Sequence, residues 1–558
     1  RPCHEIRGVF MFSRFSLPRP LHVLCICLAL LAAVPPASTA EEVTDPSRLT
    51  LDRIYKNREF QPEEFGPARW LEDGSGYTTL EANEDFEAAK DIVLYAPATG
   101  ERTVLVPASR LVPAEGEEPR TIDDYHWSPD GTRLLVFTNT ERVWRRNTRG
   151  DYWLLRLADN TLQKLGGDAE ESSMMFAKIS PDNSRVAWVD FESKDLVVQD
   201  LSTLEVSRLT DDDGEHIING TSDWVYEEEF GIRDGFRWSP DSRHIAYWQF
   251  DSEGVGTFNL INNTDSVYPE LTPLPYPKVG TTNSAVRVGV IPAEGGTTTW
   301  FEPEGDSRNY YIPMMGWAES PEEIWLVRLN RLQNTADVML GTVSTGEMKT
   351  VYTDRDDAWI DMHDDPDWLD DGAFFTWLSE RDGWRHLYVI SRSGNEVRLV
   401  TAGDYDVTEL AHIDEEGGWA YVMASPDDPT TRYLYRTRLD GTGELERITP
   451  DLPGVHRYQI SGNARWAIHS WSSRERVPTT ELVALPGHDV ARVLEDNAKL
   501  AEAVEAVATA PARSFRVDIG DVELDGWMIT PPDFDPSKSY PLLMFVYGEP
   551  AGQTVQNS

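Results

Sequence analysis

The sequence predicts a mainly β protein, an eight-bladed β-propeller followed by the beginning of an α/β domain. Three observations lead to this prediction: a short unit recurs eight times, each unit is large enough for four strands, and the pattern of the sequence changes near residue 490. With 558 residues the chain is too long for one ordinary hydrophobic core, so a repeat array or several domains is expected.

The recurring unit is an aromatic or aliphatic residue, a turn rich in Ser, Pro, Asp and Gly, and then an alternating apolar strand, as in "WSPDGTRLLVF". A second hairpin often follows, such as "LVVQDLSTLEVSRLT", which gives four strands per unit, the size of a propeller blade. A two-sheet sandwich would also use such hairpins but would not need eight similar units. We therefore predict the propeller over residues 61–497. The eight units begin at Trp70, Trp127, Ile179, Trp238, Trp317, Trp368, Ile413 and Ile460.

The last part of the chain has a different pattern. The stretch "VLEDNAKLAEAVEAVATA" has helical spacing, and "SFRVDIGDVELDGWMITPPDF" predicts a hairpin. The nearly continuous apolar run "YPLLMFVYG" is typical of a strand buried on both faces of an α/β sheet. Residues 498–558 are therefore predicted to begin a second, incomplete domain.

The N-terminus has the features of an export signal. Met11 is the expected start, Arg14 and Arg19 form a basic region, "LHVLCICLALLAAV" is the apolar region, and "PPASTA" predicts a cut after Ala40. Residues 1–40 are thus a signal peptide with upstream residues, and the protein is expected to be exported, periplasmic or secreted. Because the apolar run is short for a membrane span, no membrane attachment is expected after cleavage, although a single-pass anchor stays an alternative.

Composition excludes several classes of site and partner. All three cysteines precede the predicted cut, so the exported part has no disulfide, no Cys-ligated zinc and no cysteine nucleophile. A formal net charge of −44 repels nucleic acid. No H-E-x-x-H pattern occurs, and a calcium loop starting at Asp365 would place Leu369 where an oxygen ligand is needed. We expect no metal and no cofactor.

One insertion stands out between the third and fourth units. The segment "DDDGEHIINGTSDWVYEEEFGIRDGF" contains three consecutive carboxylates, Glu227, Glu228 and Glu229, directly after an aromatic cluster. Taken alone, such a run is most often a solvated surface. Because a blade core does not need this insertion, and because loops at a channel mouth often carry function, it is a candidate binding element.

Three motifs resemble the bacterial dipeptidyl peptidase IV family, in the prolyl oligopeptidase group of serine peptidases: "DWVYEEEF", "VWRRNTRGDYW" and "SKSYPLLMFVYGEPAGQ". The resemblance extends from about residue 45 to the end of the sequence. It implies that residues 41–60 pack on a hydrolase domain and that residues 498–558 begin an α/β-hydrolase domain.

The resemblance also implies roles for seven residues. Glu228 and Glu229 would bind the substrate's N-terminal ammonium, which carries three donors and a full charge that two carboxylates can satisfy. Arg145 would bind a substrate carbonyl and offset the repulsion between the two carboxylates. Tyr547 would donate to the oxyanion during catalysis. The supporting residues would be Trp144, Trp224 and Tyr226.

The implied function is a serine exopeptidase that releases X-Pro or X-Ala dipeptides from peptides with a free N-terminus and forms a homodimer when full length. No G-x-S-x-G motif occurs in the sequence, so the chain lacks the Ser, His and Asp of the triad and is expected to be inactive alone.

Two positions and two alternative functions stay open. Glu549 stands where many members of the family have a small residue, and His363 aligns only loosely with the family's pocket entrance, so a turn histidine is the simpler interpretation. The alternative function is a non-catalytic propeller that binds peptides or partners and has a degenerate hydrolase domain. An endopeptidase or acylaminoacyl peptidase of the same group is a third hypothesis, but it would not need paired carboxylates.

Overall fold

The computed structural model describes residues 45–114, 116–212, 216–362, 365–507, 509–510, 512–520, 522–547 and 552–558. The predicted signal peptide, the three cysteines, His363 and Glu549 lie outside these residues. The chain divides into two compact units, Arg1–Phe60 with Glu502–Thr509 and Gln61–Ala501 with Ala510–Ser558. Among the described helices, none has the length and apolar character needed to cross a bilayer.

The prediction of a mainly β protein is confirmed. The larger unit contains a series of antiparallel sheets, each built mostly from consecutive strands. Sheet 1 consists of β1 (Arg69–Trp70), β2 (Tyr77–Ala82), β3 (Lys90–Tyr95) and β4 (Arg102–Val106). Sheet 2 consists of β5 (Asp124–Trp127), β6 (Arg133–Val143), β7 (Arg146–Arg156) and β8 (Thr161–Lys164). Sheet 3 consists of β9 (Met174–Ile179), β10 (Arg185–Asp190), β11 (Leu196–Asp200) and β12 (Val206–Arg208), and β9 also pairs with β7.

Sheet 4 is the irregular member of the series. Its strands are β13 (Ile217–Asn219), β14 (Phe236–Trp238) and β15 (His244–Asp251), followed, after a separate hairpin of β16 (Thr257–Asn262) and β17 (Glu270–Pro275), by β18 (Ala285–Pro292) and β19 (Thr299–Phe301). Both β13 and β14 pair with β15, so they are two halves of one interrupted first strand.

Sheets 5 to 8 return to the regular pattern of four consecutive strands. Sheet 5 consists of β20 (Tyr310–Trp317), β21 (Glu323–Asn330), β22 (Thr335–Thr342) and β23 (Met348–Arg355). Sheet 6 consists of β24 (Trp368–Leu369), β25 (Phe374–Ser379), β26 (His386–Ser391) and β27 (Val397–Leu399). Sheet 7 consists of β28 (Val407–Asp414), β29 (Trp419–Ala424), β30 (Tyr433–Arg438) and β31 (Glu446–Arg447). Sheet 8 consists of β32 (Val455–Ile460), β33 (Trp466–Ser473), β34 (Arg476–Ala484) and β35 (Asp489–Glu495).

The turn that recurs in the units connects the first two strands of a sheet. In the second unit, the Ser128 hydroxyl donates to Asp130 and accepts from the backbone N–H of Arg133, at 2.6 and 2.9 Å. This local network closes the turn between β5 and β6 and begins the alternating strand. Ser180 and Ser239 make the same pair of bonds in the third and fourth units.

Hydrophobic packing joins each sheet to the next. One buried cluster lies between sheets 4 and 5 and another between sheets 5 and 6, and the series continues through sheet 8. Sheet 8 then packs on sheet 1, where Tyr77 is buried with Ile468 and Leu482. The indole N–H of Trp70 donates to the carbonyl of Gln459 at 2.9 Å across the same junction. The order of contacts is therefore cyclic.

The segments outside the sheets agree only in part with the predictions. A π-helix (Asp52–Lys56) and a 3₁₀-helix (Ala108–Leu111) are short, and α1 (Trp224–Phe230) lies in the insertion. The predicted helix and hairpin near the C-terminus are confirmed as α2 (Ala498–Glu505) and as β36 (Arg513–Asp518) paired with β37 (Glu523–Met528).

The predicted buried strand at "YPLLMFVYG" is wrong in this structure. Residues 540–547 form no strand, and Leu543 and Phe545 are 94% and 85% exposed. A strand of this type needs pairing strands on both edges and cover on both faces. Among the described residues, no strand pairs with it.

Candidate functional site

The candidate site begins where the first strand of sheet 4 is interrupted. The chain leaves the strand after Asn219 and returns at Phe236, and the N–H of Gly235 donates to the carbonyl of Gly220 at 3.0 Å. A Cβ atom on Gly235 would lie 2.7 Å from the carbonyl carbon of Gly220. Glycine is therefore needed at this narrow neck, which closes the insertion into a compact loop.

Helix α1 is capped at both ends. The Asp223 carboxylate accepts from the backbone N–H of Tyr226 at 3.0 Å, the usual role of an N-cap. Its other oxygen accepts from the Ser284 hydroxyl at 2.6 Å, and burial raises the pKa of Asp223. At the other end, Gly231 has a left-handed φ of 67° and its N–H donates to the carbonyl of Tyr226.

One face of α1 packs on the core. Tyr226 is 2% exposed, its ring lies 4.5 Å from that of Phe250, and its hydroxyl accepts from the N–H of Ile312 at 3.0 Å. Burial raises the pKa of Tyr226 well above its usual value, so this hydroxyl stays protonated. Trp224 lies beside Tyr276, with 4.2 Å between ring centroids.

The three consecutive carboxylates have different environments. Glu227 pairs with Arg233 at 2.9 Å and is mostly buried. Glu228 pairs with Arg145 at 2.6 Å. Glu229 is exposed, and within the part of the chain that the structure describes it has no ion pair. One carboxylate thus helps to hold the insertion, the second is paired with a guanidinium, and the third is exposed at the next position of the helix.

Arg145 is positioned by a hairpin of sheet 2. Strands β6 and β7 extend beyond the sheet and pair up to Val143 and Arg146, which leaves Trp144 and Arg145 as a two-residue turn. Trp144 has a φ of 51°, which is unusual for a bulky residue, and its carbonyl accepts from Nε of Arg142 at 2.8 Å. Strained turns of this kind occur preferentially at functional sites.

The two exposed carboxylates can accept hydrogen bonds from a cation. Glu228 shares its charge with Arg145, whereas Glu229 has no ion pair among the described residues. The Arg145 side chain is 71% exposed and that of Glu228 is 31% exposed, so both can reach a ligand. Together these groups offer carboxylate acceptors to a cation and a guanidinium donor to a carbonyl oxygen.

A cavity of about 510 Å³ is lined mainly by residues of sheets 2 and 3, together with Asp234 of the insertion. Asn147 and Thr148 follow Arg145 on β7, and Asp234 belongs to the neck of the insertion. Lys178 also lines the cavity and pairs with Asp234, and burial lowers the pKa of Lys178 to about 8. The cavity shares strand β7 with the candidate site, but its lining residues do not include Arg145, Glu228 or Glu229.

The structure does not bring every predicted residue to this site. Tyr547 lies in the irregular stretch 540–547, and its side chain is 62% exposed. In the described ranges, no group of three or more His, Cys, Asp or Glu side chains is arranged to hold a metal ion.

Three residues that the sequence did not single out help to build the site. Arg233 neutralises Glu227, Ser284 fixes the N-cap, and Tyr276 contacts Trp224. Ser284 is 61 residues from its partner Asp223, so no local pattern could have revealed that contact.

A protein family described as "Dipeptidyl peptidase IV (DPP IV) N-terminal region" matches residues 128–478 of this chain. The chain belongs to this dipeptidyl peptidase IV family. The matched range contains the hairpin with Arg145 and the helix with Glu228 and Glu229, which are the two elements of the candidate site.

Named relatives agree with this family. The chain is 27% identical to "Probable dipeptidyl peptidase 4" of Aspergillus flavus, over 91% of this chain and 66% of that protein. It is also 27% identical to "Probable dipeptidyl-aminopeptidase B" of Emericella nidulans, over 79% of this chain and 52% of that protein. The chain thus spans between about half and two thirds of the length of these relatives.

Solved structures give the same result for the fold. The crystal structure of Porphyromonas gingivalis dipeptidyl peptidase 4 matches with a TM-score of 0.81 and 26% identity, over 91% of this chain and 71% of that one. A structure from Bacteroides ovatus matches with a TM-score of 0.69 at 18% identity, which supports the fold alone.

Proposed function

We propose that the chain is the substrate-recognition part of a serine exopeptidase that releases N-terminal dipeptides, X-Pro or X-Ala, from peptides. The observation that carries the proposal is the 2.6 Å pair between Arg145 and Glu228, with Glu229 adjacent on the same helix. The family and the names of the relatives support the same class of enzyme.

The eight sheets, in this proposal, are the blades of an eight-bladed β-propeller over residues 61–497. The cyclic order of hydrophobic contacts, in which sheet 8 packs on sheet 1, supports this architecture. The interrupted strand of sheet 4 and the hairpin of sheet 2 then present their side chains from neighbouring parts of one ring.

Recognition of the ammonium is electrostatic. Glu228 and Glu229 accept hydrogen bonds from the protonated N-terminus, and each charge-assisted bond contributes about 1.5 to 3 kcal/mol. Arg145 donates to the carbonyl oxygen of the first residue and keeps the two carboxylates from repelling each other. Because the helix is fixed at both caps, the carboxylates hold the substrate N-terminus at a fixed distance from the catalytic groups.

That distance would place the second peptide bond at the catalytic groups. In the whole protein a serine attacks this bond, a histidine acts as base and an aspartate orients the histidine. The Tyr547 hydroxyl donates a hydrogen bond to the oxyanion. Residues 498–558, which include Tyr547, begin the α/β-hydrolase domain.

The proposed partners are peptides with a free N-terminus and, for the whole protein, a second copy of the chain. The exposed hairpin of β16 and β17 supports the homodimer, since a two-stranded hairpin is only marginally stable in water by itself. Its apolar residues Ile261, Leu271 and Tyr268 are 60%, 59% and 81% exposed. We also propose that the protein is exported.

The proposal is tested by calorimetric titration of the chain with two matched ligands, a dipeptide amide with a free N-terminus and its N-acetylated form. We expect at least tenfold tighter binding of the free amine, since acetylation removes the charge that the carboxylates bind. The preference should disappear as pH rises through the amine pKa, near about 8. Equal binding of both ligands at pH 6.5 would contradict the proposal.

A further inference from the structure

The helix that presents the two carboxylates cannot hold its own orientation. Helix α1 has only seven residues, and isolated helices of this length are not stable in water. Its orientation is therefore set by tertiary contacts. The Asp223 cap and the buried Tyr226 side chain fix the N-terminal end and the core-facing side.

A separate contact controls the face that carries Glu228. Trp224 and Glu228 are four residues apart, so they lie on the same side of the helix, one turn above the other. Any rotation of the helix that moves Trp224 also moves Glu228. The Trp224 ring lies against Tyr276, with 4.2 Å between centroids and 40° between ring planes.

Tyr276 is in turn held by the hairpin of β16 and β17. Its N–H donates to the carbonyl of Gly256 at 2.7 Å, which closes the base of the hairpin. Its ring lies 5.4 Å from that of Phe258 on β16. Ser284, which fixes the helix cap, follows on the same segment as the chain returns to β18.

We propose that Tyr276 is a positioning residue for Glu228 and Glu229. It contacts Trp224, and through Trp224 it fixes the rotation of the helix, so that both carboxylates point at one ammonium. The hairpin is thereby a structural support of the binding site. This inference rests on the proposed function of the two carboxylates.

The test is the Tyr276→Ala variant of the whole chain, titrated with the free-amine dipeptide amide and with its N-acetylated form. We expect about tenfold weaker binding of the free amine, the loss that corresponds to one aromatic contact that orients the helix. Binding of the acetylated ligand should change by less than about twofold, because that ligand does not use the carboxylates. Tyr276→Phe keeps the ring and should restore wild-type binding of both ligands.

Three results would overturn the inference. If Tyr276→Ala binds the free amine as tightly as wild type does, Tyr276 does not position the helix through Trp224. The proposed function would still stand in that case, because the wild-type chain would keep its preference for the free amine. If Tyr276→Ala weakens the binding of both ligands equally, Tyr276 has a general structural role. A wild-type chain without any preference would refute the proposed function and this inference together. If Tyr276→Ala does not fold, Phe258→Ala replaces it, with an expected weakening of about threefold for the free amine only.

Discussion

Sheet 4 and sheet 8 are built from the same repeated unit, yet they place their polar side chains in opposite environments. The interrupted first strand of sheet 4 presents Glu228 and Glu229 at an exposed helix. The strands of sheet 8 and the turn after β34 bury three histidines instead, His456, His469 and His488, which are 1%, 0% and 8% exposed.

The histidines of sheet 8 form a neutral hydrogen-bonded network. Nδ1 of His456 and Nε2 of His469 are 2.8 Å apart, and the Tyr458 hydroxyl lies 2.8 Å from Nε2 of His488. Burial lowers the pKa of His456 and of His488 to about 4, and it also lowers that of His469, although Glu481 faces the last of these. These rings are therefore uncharged at neutral pH.

The difference between the two sheets separates stability from recognition. The histidines of sheet 8 are buried, and the His456 ring lies 5.4 Å from that of Tyr433 in sheet 7, so their protonation should affect unfolding. Charged groups in sheet 4 are exposed, where ion pairs contribute little to stability but can reach a ligand. Changes in sheet 8 should alter the melting temperature, and changes at the site should alter binding.

The largest expected effect is acid destabilisation through sheet 8. In the unfolded chain the histidines have a pKa near about 6.5 and bind protons that the folded chain does not, so stability is complete above that pH and falls as the pH falls towards about 4. Each of the two histidines whose pKa falls to about 4 should contribute a loss on the order of 3 kcal/mol, seen as a drop in melting temperature by calorimetry at pH 7, 6, 5 and 4.

A matched pair of variants sharpens this comparison. His488→Asn tolerates the left-handed turn at this position, where φ is 57°, and removes one titrating group, so its melting temperature should depend less steeply on pH. His216→Gln changes an exposed histidine and should keep the wild-type slope. Identical slopes for wild type and His488→Asn would show that the buried network does not govern acid stability.

The repeated sheets could be predicted from the sequence because their signals are local. A residue such as Ser128 closes its own turn through Asp130 and Arg133, all within six positions. The interruption of sheet 4 was also visible as an insertion. What occupies the insertion depends on contacts such as Asp223 with Ser284, which join residues that are far apart in the sequence.

In two other places the sequence pattern does not determine the environment of a side chain. The run from Tyr540 to Tyr547 predicts burial, but apolar character does not supply the neighbouring strands that burial needs. The sequence alone does not distinguish the three consecutive glutamates. The structure does, because Glu227 pairs with Arg233 and Glu228 pairs with Arg145. The resemblance assigned roles to residues of the hairpin and of the helix, but the contacts that orient these two elements required the structure.

A smaller effect is expected from Arg145→Met. Loss of the guanidinium removes a donor to the ligand carbonyl, so free-amine and acetylated dipeptide amides should both bind about tenfold more weakly by calorimetric titration. The melting temperature should not change, because the pair with Glu228 is exposed.

The control for this change is the neighbouring Arg146→Met, which removes the same charge from an exposed position on the same hairpin. It should bind both ligands like wild type. An equal loss in the two variants would mean that general charge attraction, rather than a positioned donor, explains the effect of Arg145.

The most direct test of the carboxylate site is a cycle that combines a change in the protein with a change in the ligand. Calorimetric titration of wild type and Glu229→Gln, each with the free-amine and the N-acetylated dipeptide amide, gives the coupling between this carboxylate and the ammonium. We predict that Glu229→Gln lowers the preference for the free amine by at least about tenfold, whereas Glu347→Gln, at an exposed turn of sheet 5, leaves it unchanged. The same preference in Glu229→Gln as in wild type would contradict the role of the carboxylate pair.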